Sequence, residues 1–265
     1  MLTIPSQVYT KDYYLSDCTD FETYQKSKGK KLGVRLKEII SRIPFQKNER
    51  VLDIGCGRGE VLLDCLKKRV EVIGIDYAEA AVRLASRNRV IVLQANAKKL
   101  PFIDSSFGKV LLFDVVEHLY PKELEQMMEE IKRVLKPNGS VFIHTSPNKI
   151  LVDWVFPYWI RPWDWLLITL SNFLTGKDYS KLPVFLRSKS NKLMHVNEMT
   201  YWKLKRLLEK HGFSFRFNFN HFCLKPCYSW KDKVYNMIVG LYPLALKQPL
   251  IWLFTNRFFV AAKKK

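Results

Sequence analysis

The segment Val51-Leu52-Asp53-Ile54-Gly55-Cys56-Gly57-Arg58-Gly59-Glu60 constrains this chain more than any other. A short apolar run ends in a glycine-rich turn, and a helical pattern follows at once. Glycine admits backbone conformations closed to other residues and lets a ligand approach the main chain. A turn of this kind belongs at the carboxyl end of a strand, where open α/β sheets bind their ligands. A dinucleotide site would begin in the same way, but its fingerprint needs a glycine where this chain has Glu60. A carboxylate there is expected to repel a pyrophosphate seeking the helix N-terminus. Asp53, at the end of the same strand, suits a cationic ligand with an amino group better than a diphosphate.

From Arg50 onward the pattern alternates between strand and helix. RVLDIG, VEVIGID, VIVLQAN, KVLLFDVV and SVFIHTS read as strands, while EVLLDCLKKR, AEAAVRLASRN and KELEQMMEEIKRVL read as helices. Continuous apolar runs suit parallel strands covered on both faces, and the alternation predicts a doubly wound α/β sheet. A second glycine-bearing strand end, Gly74-Ile75-Asp76, offers a carboxylate to ribose hydroxyls, 21 residues beyond Gly55. The third strand ends in Gln94-Ala95-Asn96-Ala97, placing an amide beside an expected adenine. Either residue alone would serve as well as a helix or turn cap; the ordered series argues for a nucleoside-bearing ligand.

These residues carry a resemblance. Residues 50–146 resemble the core of the class I S-adenosylmethionine-dependent methyltransferases, close to the type-11 group that includes quinone and small-molecule enzymes. VLDIGCGRGE resembles the first motif of that family, GIDYAEAAV the second, LPFIDSSFGKVLLFDVVEHL the third and fourth, and RVLKPNGSVFIHTSPN the fifth. The resemblance implies a Rossmann-like α/β fold, a seven-stranded sheet whose last strand is antiparallel, and NRFFVAAKKK fits that strand. It implies S-adenosylmethionine as cofactor, with Gly55 and Gly57 along its methionine part, Asp76 at the ribose and Asn96 and Ala97 beside adenine, and Asp53, Cys56, Tyr77 and Asp114 complete the expected cofactor-binding set. Two positions depart from the pattern: the family usually has Asp where this chain has Asn96 and where it has Gly108.

After residue 150 the chain changes character. Residues 1–150 carry a net charge of +6 and residues 151–265 a net of +13, and all seven Trp lie in the second part. The whole chain, 265 residues with 48% hydrophobic content, is expected to form one methyltransferase domain. Its parts are an N-terminal helical cap (1–49), the cofactor core (50–149), a Trp-rich insertion (150–195), and a C-terminal half of the sheet (196–265) with a helical insertion at 231–254. In that last part NEMTYWKLKRLLEKHG reads as a helix and FSFRFNFNHF as a strand with aromatics on one face. No run of about 18 apolar residues lacks a charge, so no membrane-spanning helix is expected. The N-terminus lacks the pattern of a secretory signal. Five scattered cysteines read as reduced thiols, and the expected location is cytoplasmic, with peripheral contact at an anionic membrane surface.

The acceptor side rests on histidines. His118, in the sequence Asp114-Val115-Val116-Glu117-His118, falls just past the fourth strand. Its Asp-x-x-x-His spacing resembles that of phosphoethanolamine methyltransferases, where the histidine takes part in catalysis. His195 resembles a family position that reaches the acceptor pocket, and His144 reads as structural. Asp114, Glu117 and His118 combine carboxylates with imidazole as a metal site would, but Asp114 suits the cofactor better and no metal is expected. His221 with Cys223 and Cys227 lacks a second ligand pair at zinc spacing. The expected reaction is methyl transfer to a small or lipid-linked acceptor, such as a quinone precursor or a lipid-linked sugar, at a hydroxyl. A tRNA or rRNA substrate is the first alternative, which the basic second half permits. Against it, Asp-Val-Val-Glu stands where a base-methylating Asn-Pro-Pro-Tyr-like motif would lie. A non-catalytic cofactor-binding module is the second.

Overall fold

Arg50–Ile54 forms the first strand, β1, and four of its five side chains are buried because helices cover both faces of the sheet. A computed structural model describes residues 3–18, 20–184, 186–187, 189–221 and 230–265. Two helices, α1 (Phe21–Ser27) and α2 (Val34–Ser41), precede β1. There follow α3 (Glu60–Lys67), β2 (Glu71–Asp76), α4 (Glu79–Ser86), β3 (Ile91–Gln94), β4 (Phe107–Phe113), α5 (Pro121–Val134) and β5 (Leu135–Thr145). A π-helical segment, Leu151–Ile160, runs straight into α6 (Arg161–Thr175). The chain then forms α7 (Lys189–Met194), α8 (Tyr201–Lys210), β6 (Phe213–His221), α9 (Trp230–Val239), α10 (Leu250–Phe254) and β7 (Thr255–Lys264).

The seven strands lie in the order β3-β2-β1-β4-β5-β7-β6. The first five strands pair in parallel, and β7 enters antiparallel between β5 and β6. The order reverses between β1 and β4, so a crevice opens beyond their carboxyl ends, where such sheets bind ligands. One strand departs from expectation: β3 is the edge of the sheet, and Ile91 and Leu93 remain exposed despite their apolar pattern. At an edge no second helix layer covers the strand.

Helix α5 shows why the cofactor-side architecture forms. Pro121 begins it with φ already suited to a helix, and the Glu123 carboxylate accepts the Tyr120 backbone N–H at 3.0 Å. Leu124, Met127, Met128 and Ile131 repeat at helical spacing and are buried, each side chain contributing about 1.5–3 kcal/mol. They pack with Leu204 and Leu208 of α8 on one face of the sheet. Leu36, Ile39 and Ile40 of α2 and Leu62 and Cys65 of α3 cover the other. Phe213, Phe215, Phe217 and Phe219 of β6 point alternately to the first layer, as the strand period requires.

A third apolar cluster stands apart from both layers. It joins Leu151, Phe156, Ile160 and Ile168 to Tyr235, Val239, Ala245 and Phe254, so two insertions distant in sequence share one core. The outer face of the first insertion stays in solvent: Trp154 is 66% exposed, Trp165 55% and Phe173 84%. Lys181 Nζ lies 5.1 Å from the Trp165 ring centre. Among the described residues no helix is long and apolar enough to cross a membrane.

Gly108 has a local explanation. A side chain there would meet Glu49 Oε1 at 2.8 Å, and Glu49 already supplies a carboxylate to Lys109 Nζ at 2.5 Å. An aspartate at position 108 would set like charges together at this strand edge.

Candidate active site

Beyond β1 and β4 lies a cavity of about 360 Å³. It gathers all eleven residues singled out from the sequence: Asp53, Gly55, Cys56, Gly57, Asp76, Tyr77, Asn96, Ala97, Asp114, His118 and His195. Gly55 and Gly57 adopt φ of +72° and +52°, values that L side chains rarely take. A Cβ on Gly55 would also stand 2.5 Å from Val115 Cγ2. The loop therefore needs glycine for its bend and for closeness to the turn after β4.

Asp76 braces this loop. One oxygen accepts the Gly57 N–H at 2.9 Å and the other accepts the Ala78 N–H at 2.9 Å. The capping role and the cavity-lining role thus coexist, since each carboxylate oxygen keeps a further lone pair. Asn96 likewise accepts the Lys98 N–H at 3.0 Å while facing the cavity. Asp53 differs from both. It is 2% exposed, its Oδ2 has no hydrogen-bond partner, and no cation pairs with it among the described residues. Burial, with Asp76 adding repulsion, pushes its carboxyl up to about 8.

Two expectations change here. Glu60 does not present a bare charge, because Arg58 binds it through two buried contacts at 3.0 and 3.1 Å. The repulsion expected against a pyrophosphate is therefore neutralised. Arg58 also donates to the Tyr14 carbonyl at 2.9 Å, so the pair serves to anchor the N-terminal segment. Asp114 is the second change. It lines the cavity, but its oxygens are taken by Arg35 and, at 2.7 Å, by His144 Nδ1. Burial works against its charge, yet Arg35 and His144 hold it well below the usual carboxylate range. Asp114 thus ties α2, β4 and β5 together, and His144 is buried behind it as a structural residue.

His118 and His195, both on the cavity wall, meet with ring centres 4.9 Å apart and planes at 88°. His118 Nδ1 contacts Tyr9 Oη at 3.1 Å. Lost hydration, reinforced by His195, lowers its basicity to about 3, so the ring is neutral at ordinary pH. Glu117, 1% exposed, accepts the Thr145 hydroxyl at 2.9 Å; burial, with Asp114 adding repulsion, pushes it up to about 8. Tyr9, Tyr13 and Tyr14 close the cavity from the N-terminal segment, which Thr3 fastens by donating to Glu123 at 2.7 Å.

Sequence reasoning missed Glu117 as a site residue beyond its metal weighing, along with Arg35 and the three tyrosines. The tyrosine cluster in YTKDYYL was a visible signal; Arg35 had none, since its role depends on α2 packing across β4. Cys223 and Cys227 lie outside the described residues, and Cys18, Cys56 and Cys65 are free thiols.

Comparison with known proteins places the central segment in a family. Residues 52–143 match the family described as a methyltransferase domain. Those residues form a class I methyltransferase core of the type-11 group. A probable S-adenosylmethionine-dependent methyltransferase from Mycolicibacterium smegmatis is 39% identical over 168 residues, covering 62% of this chain and 51% of its own. A sterol 4-C-methyltransferase from Caenorhabditis elegans is 30% identical over 131 residues, covering 45% of this chain and 39% of its own. This chain thus spans about half or less of the length of these relatives. A crystal structure of a SAM-dependent methyltransferase from Archaeoglobus fulgidus superposes with TM-score 0.57 at 22% identity, covering 93% of this chain and 100% of the other; it speaks to the fold.

S-adenosylmethionine is the cofactor of class I methyltransferases, and the residues present fit it. The methyltransferase core offers an unpartnered buried carboxylate at Asp53 for an ammonium group, and a glycine cradle that Cβ atoms would fill. Asp76 and Asn96 retain acceptor capacity for hydroxyl and amino groups.

Proposed function

We propose that this protein transfers a methyl group from S-adenosylmethionine to the hydroxyl oxygen of a small or lipid-linked acceptor. The observation that carries this reading is that one cavity holds Asp53, buried and without a cation among the described residues, together with the adjoining rings of His118 and His195. Gly55, Cys56 and Gly57 would line the methionine part, Asp53 its ammonium, Asp76 and Tyr77 the ribose, and Asn96 and Ala97 the adenine. When bound, the cofactor supplies a methyl group already activated by its sulfonium, so the protein's main task is to hold the acceptor in line. The His118 and His195 rings receive the hydrogen of an acceptor hydroxyl and aim its oxygen. The tyrosine-bearing N-terminal segment excludes water from that space.

The nature of the acceptor draws on the surface beside the cavity. Trp154, Trp165 and Phe173 stand exposed on the first insertion, and the second half of the chain carries a net charge of +13. Trp favours membrane–water interfaces and Lys and Arg favour anionic leaflets. Peripheral contact with such a membrane would deliver an amphipathic acceptor. The nematode relative's name, a sterol methyltransferase, is in keeping with an apolar acceptor, though its target atom is carbon.

Calorimetry with S-adenosylmethionine tests the core of this reading. Binding is expected, and Asp76→Ala should weaken it by about 1–3 kcal/mol, the cost of polar groups left unpaired. His118→Ala should leave that affinity nearly unchanged and lower kcat roughly 10²–10⁴-fold on the true acceptor. The acceptor itself should appear in extracts of cells with and without the gene, as a lipid or glycan differing in mass by one methylene group. Tight NAD binding with no response to S-adenosylmethionine would overturn the assignment.

A further inference from the structure

Four glutamates are buried in this fold: Glu60, Glu117, Glu123 and Glu198. Three have a cation beside them, Glu60 with Arg58, Glu123 with Lys98 and Glu198 with Arg187. Glu117 has none among the described residues. Its oxygens receive only the Thr145 hydroxyl at 2.9 Å and the Ser146 N–H at 3.5 Å. Buried carboxylates are ordinarily paired with a cation or coordinate a metal. The groups that do surround Glu117 are imidazoles. One ligand atom each of Glu117, His118 and His195 lies within 4.8 Å of the other two, on the cavity wall.

We infer that Glu117, His118 and His195 form a binding site for a first-row divalent cation at the acceptor end of the cavity. Three features support this beyond proximity. The ligands come from two segments, the turn after β4 and the loop before α8, and Asn197 N–H donating to the Glu117 carbonyl at 3.0 Å holds these segments together. His195 Nδ1 is buried without a hydrogen-bond partner, 3.7 Å from Glu198 Oε1, a carboxylate placed behind the ring as carboxylates stand behind ligating histidines. The set of two imidazoles and one carboxylate suits ions from manganese to zinc better than calcium or magnesium. Asp114, a nearby acid, is not a ligand, because Arg35 and His144 already occupy its oxygens. His118 would meet the ion through the nitrogen that Tyr9 Oη now contacts, so that hydrogen bond yields when the ion enters.

Three protein ligands leave coordination positions open toward the cavity. A hydroxyl oxygen of the acceptor filling one of them loses its proton to water more readily, which fits an oxygen nucleophile. In this respect the inference deepens the proposed transfer to a hydroxyl, but its test does not depend on that reading. The full chain, cleared of metal by chelation, is titrated with manganese chloride followed by electron paramagnetic resonance, and with cobalt chloride followed by visible absorption. One ion per chain is expected, bound more than tenfold more weakly by Glu117→Gln and by His195→Ala. His195→Asn, nearer in shape, guards against a folding defect, and a melting curve accompanies each variant. S-adenosylmethionine calorimetry on the same samples tests the cofactor site separately, so that either assignment can fail alone. Wild-type protein that binds neither ion, or folded His195→Ala and His195→Asn variants that bind as tightly as wild type, would remove the site.

Discussion

Asp53 is a carboxyl group kept protonated at neutral pH by its surroundings. Its titration moves from an ordinary 3.8 to about 8 because burial removes water and Asp76 adds a like charge. Between those values the folded chain holds a proton that the unfolded chain has lost, so this residue's contribution to stability declines as pH rises from about 4 to about 8. A cationic ligand at Asp53 reverses the balance by favouring the ionised form and expelling the proton. At pH 7, the heat of S-adenosylmethionine binding should therefore vary with the ionisation enthalpy of the buffer, in the sense of proton release. Affinity should rise as pH approaches 8. Asp53→Asn should abolish the buffer dependence and weaken binding. Equal heats in all buffers for the wild type would show that the ligand does not touch this carboxylate. The position of Asp53 was legible in the sequence as the end of a strand before a glycine loop. Its isolation from any cation was not, because that depends on which side chains the neighbouring strands bring near. Glu60 teaches the reverse lesson: its charge was legible, and Arg58 two residues earlier cancels it.

At the level of elements, the strands and helices of the cofactor core followed from apolar runs and glycine turns because local pattern and tertiary burial agree there. β3 shows the limit, since an apolar run at a sheet edge stays exposed. The first insertion shows another. Its Trp content suggested either a membrane surface or a lid, and the segment turns one apolar face inward and leaves an aromatic face in solvent. Phe156, Ile160 and Ile168 pack inward, whereas Trp154, Trp165 and Phe173 point away. Trp159 and Trp163 are each 37% exposed. Substituting Trp154, Trp165 and Phe173 by Ser should therefore leave the melting temperature nearly unchanged. The same change should abolish the salt-resistant part of binding to anionic vesicles, while the salt-sensitive part, about 1 kcal/mol for each nearby Lys or Arg, remains. Co-sedimentation at two salt concentrations reads both. A wild-type protein that stays in the supernatant at low salt would exclude the membrane contact.

For the molecule as a whole, sequence alone could not reveal that the insertions at 150–195 and 231–254 belong together. Leu151 and Phe254 are about as far apart in the chain as β1 is from the first insertion, and only the fold brings them to one cluster. That shared cluster is separate from the two layers that cover the sheet. Its members depend on one another more than on the sheet, so they should open as a unit with its own, smaller free energy. In native-state hydrogen exchange, the amides of α6 and α9 should become labile together at low denaturant, while β1, β4 and β5 stay protected until global unfolding. Amides of α6 and α9 that exchange only with the strands would show that no such subdivision exists. A chain built this way can loosen the ground beside its cavity and re-form it, with the glycine loop undisturbed throughout.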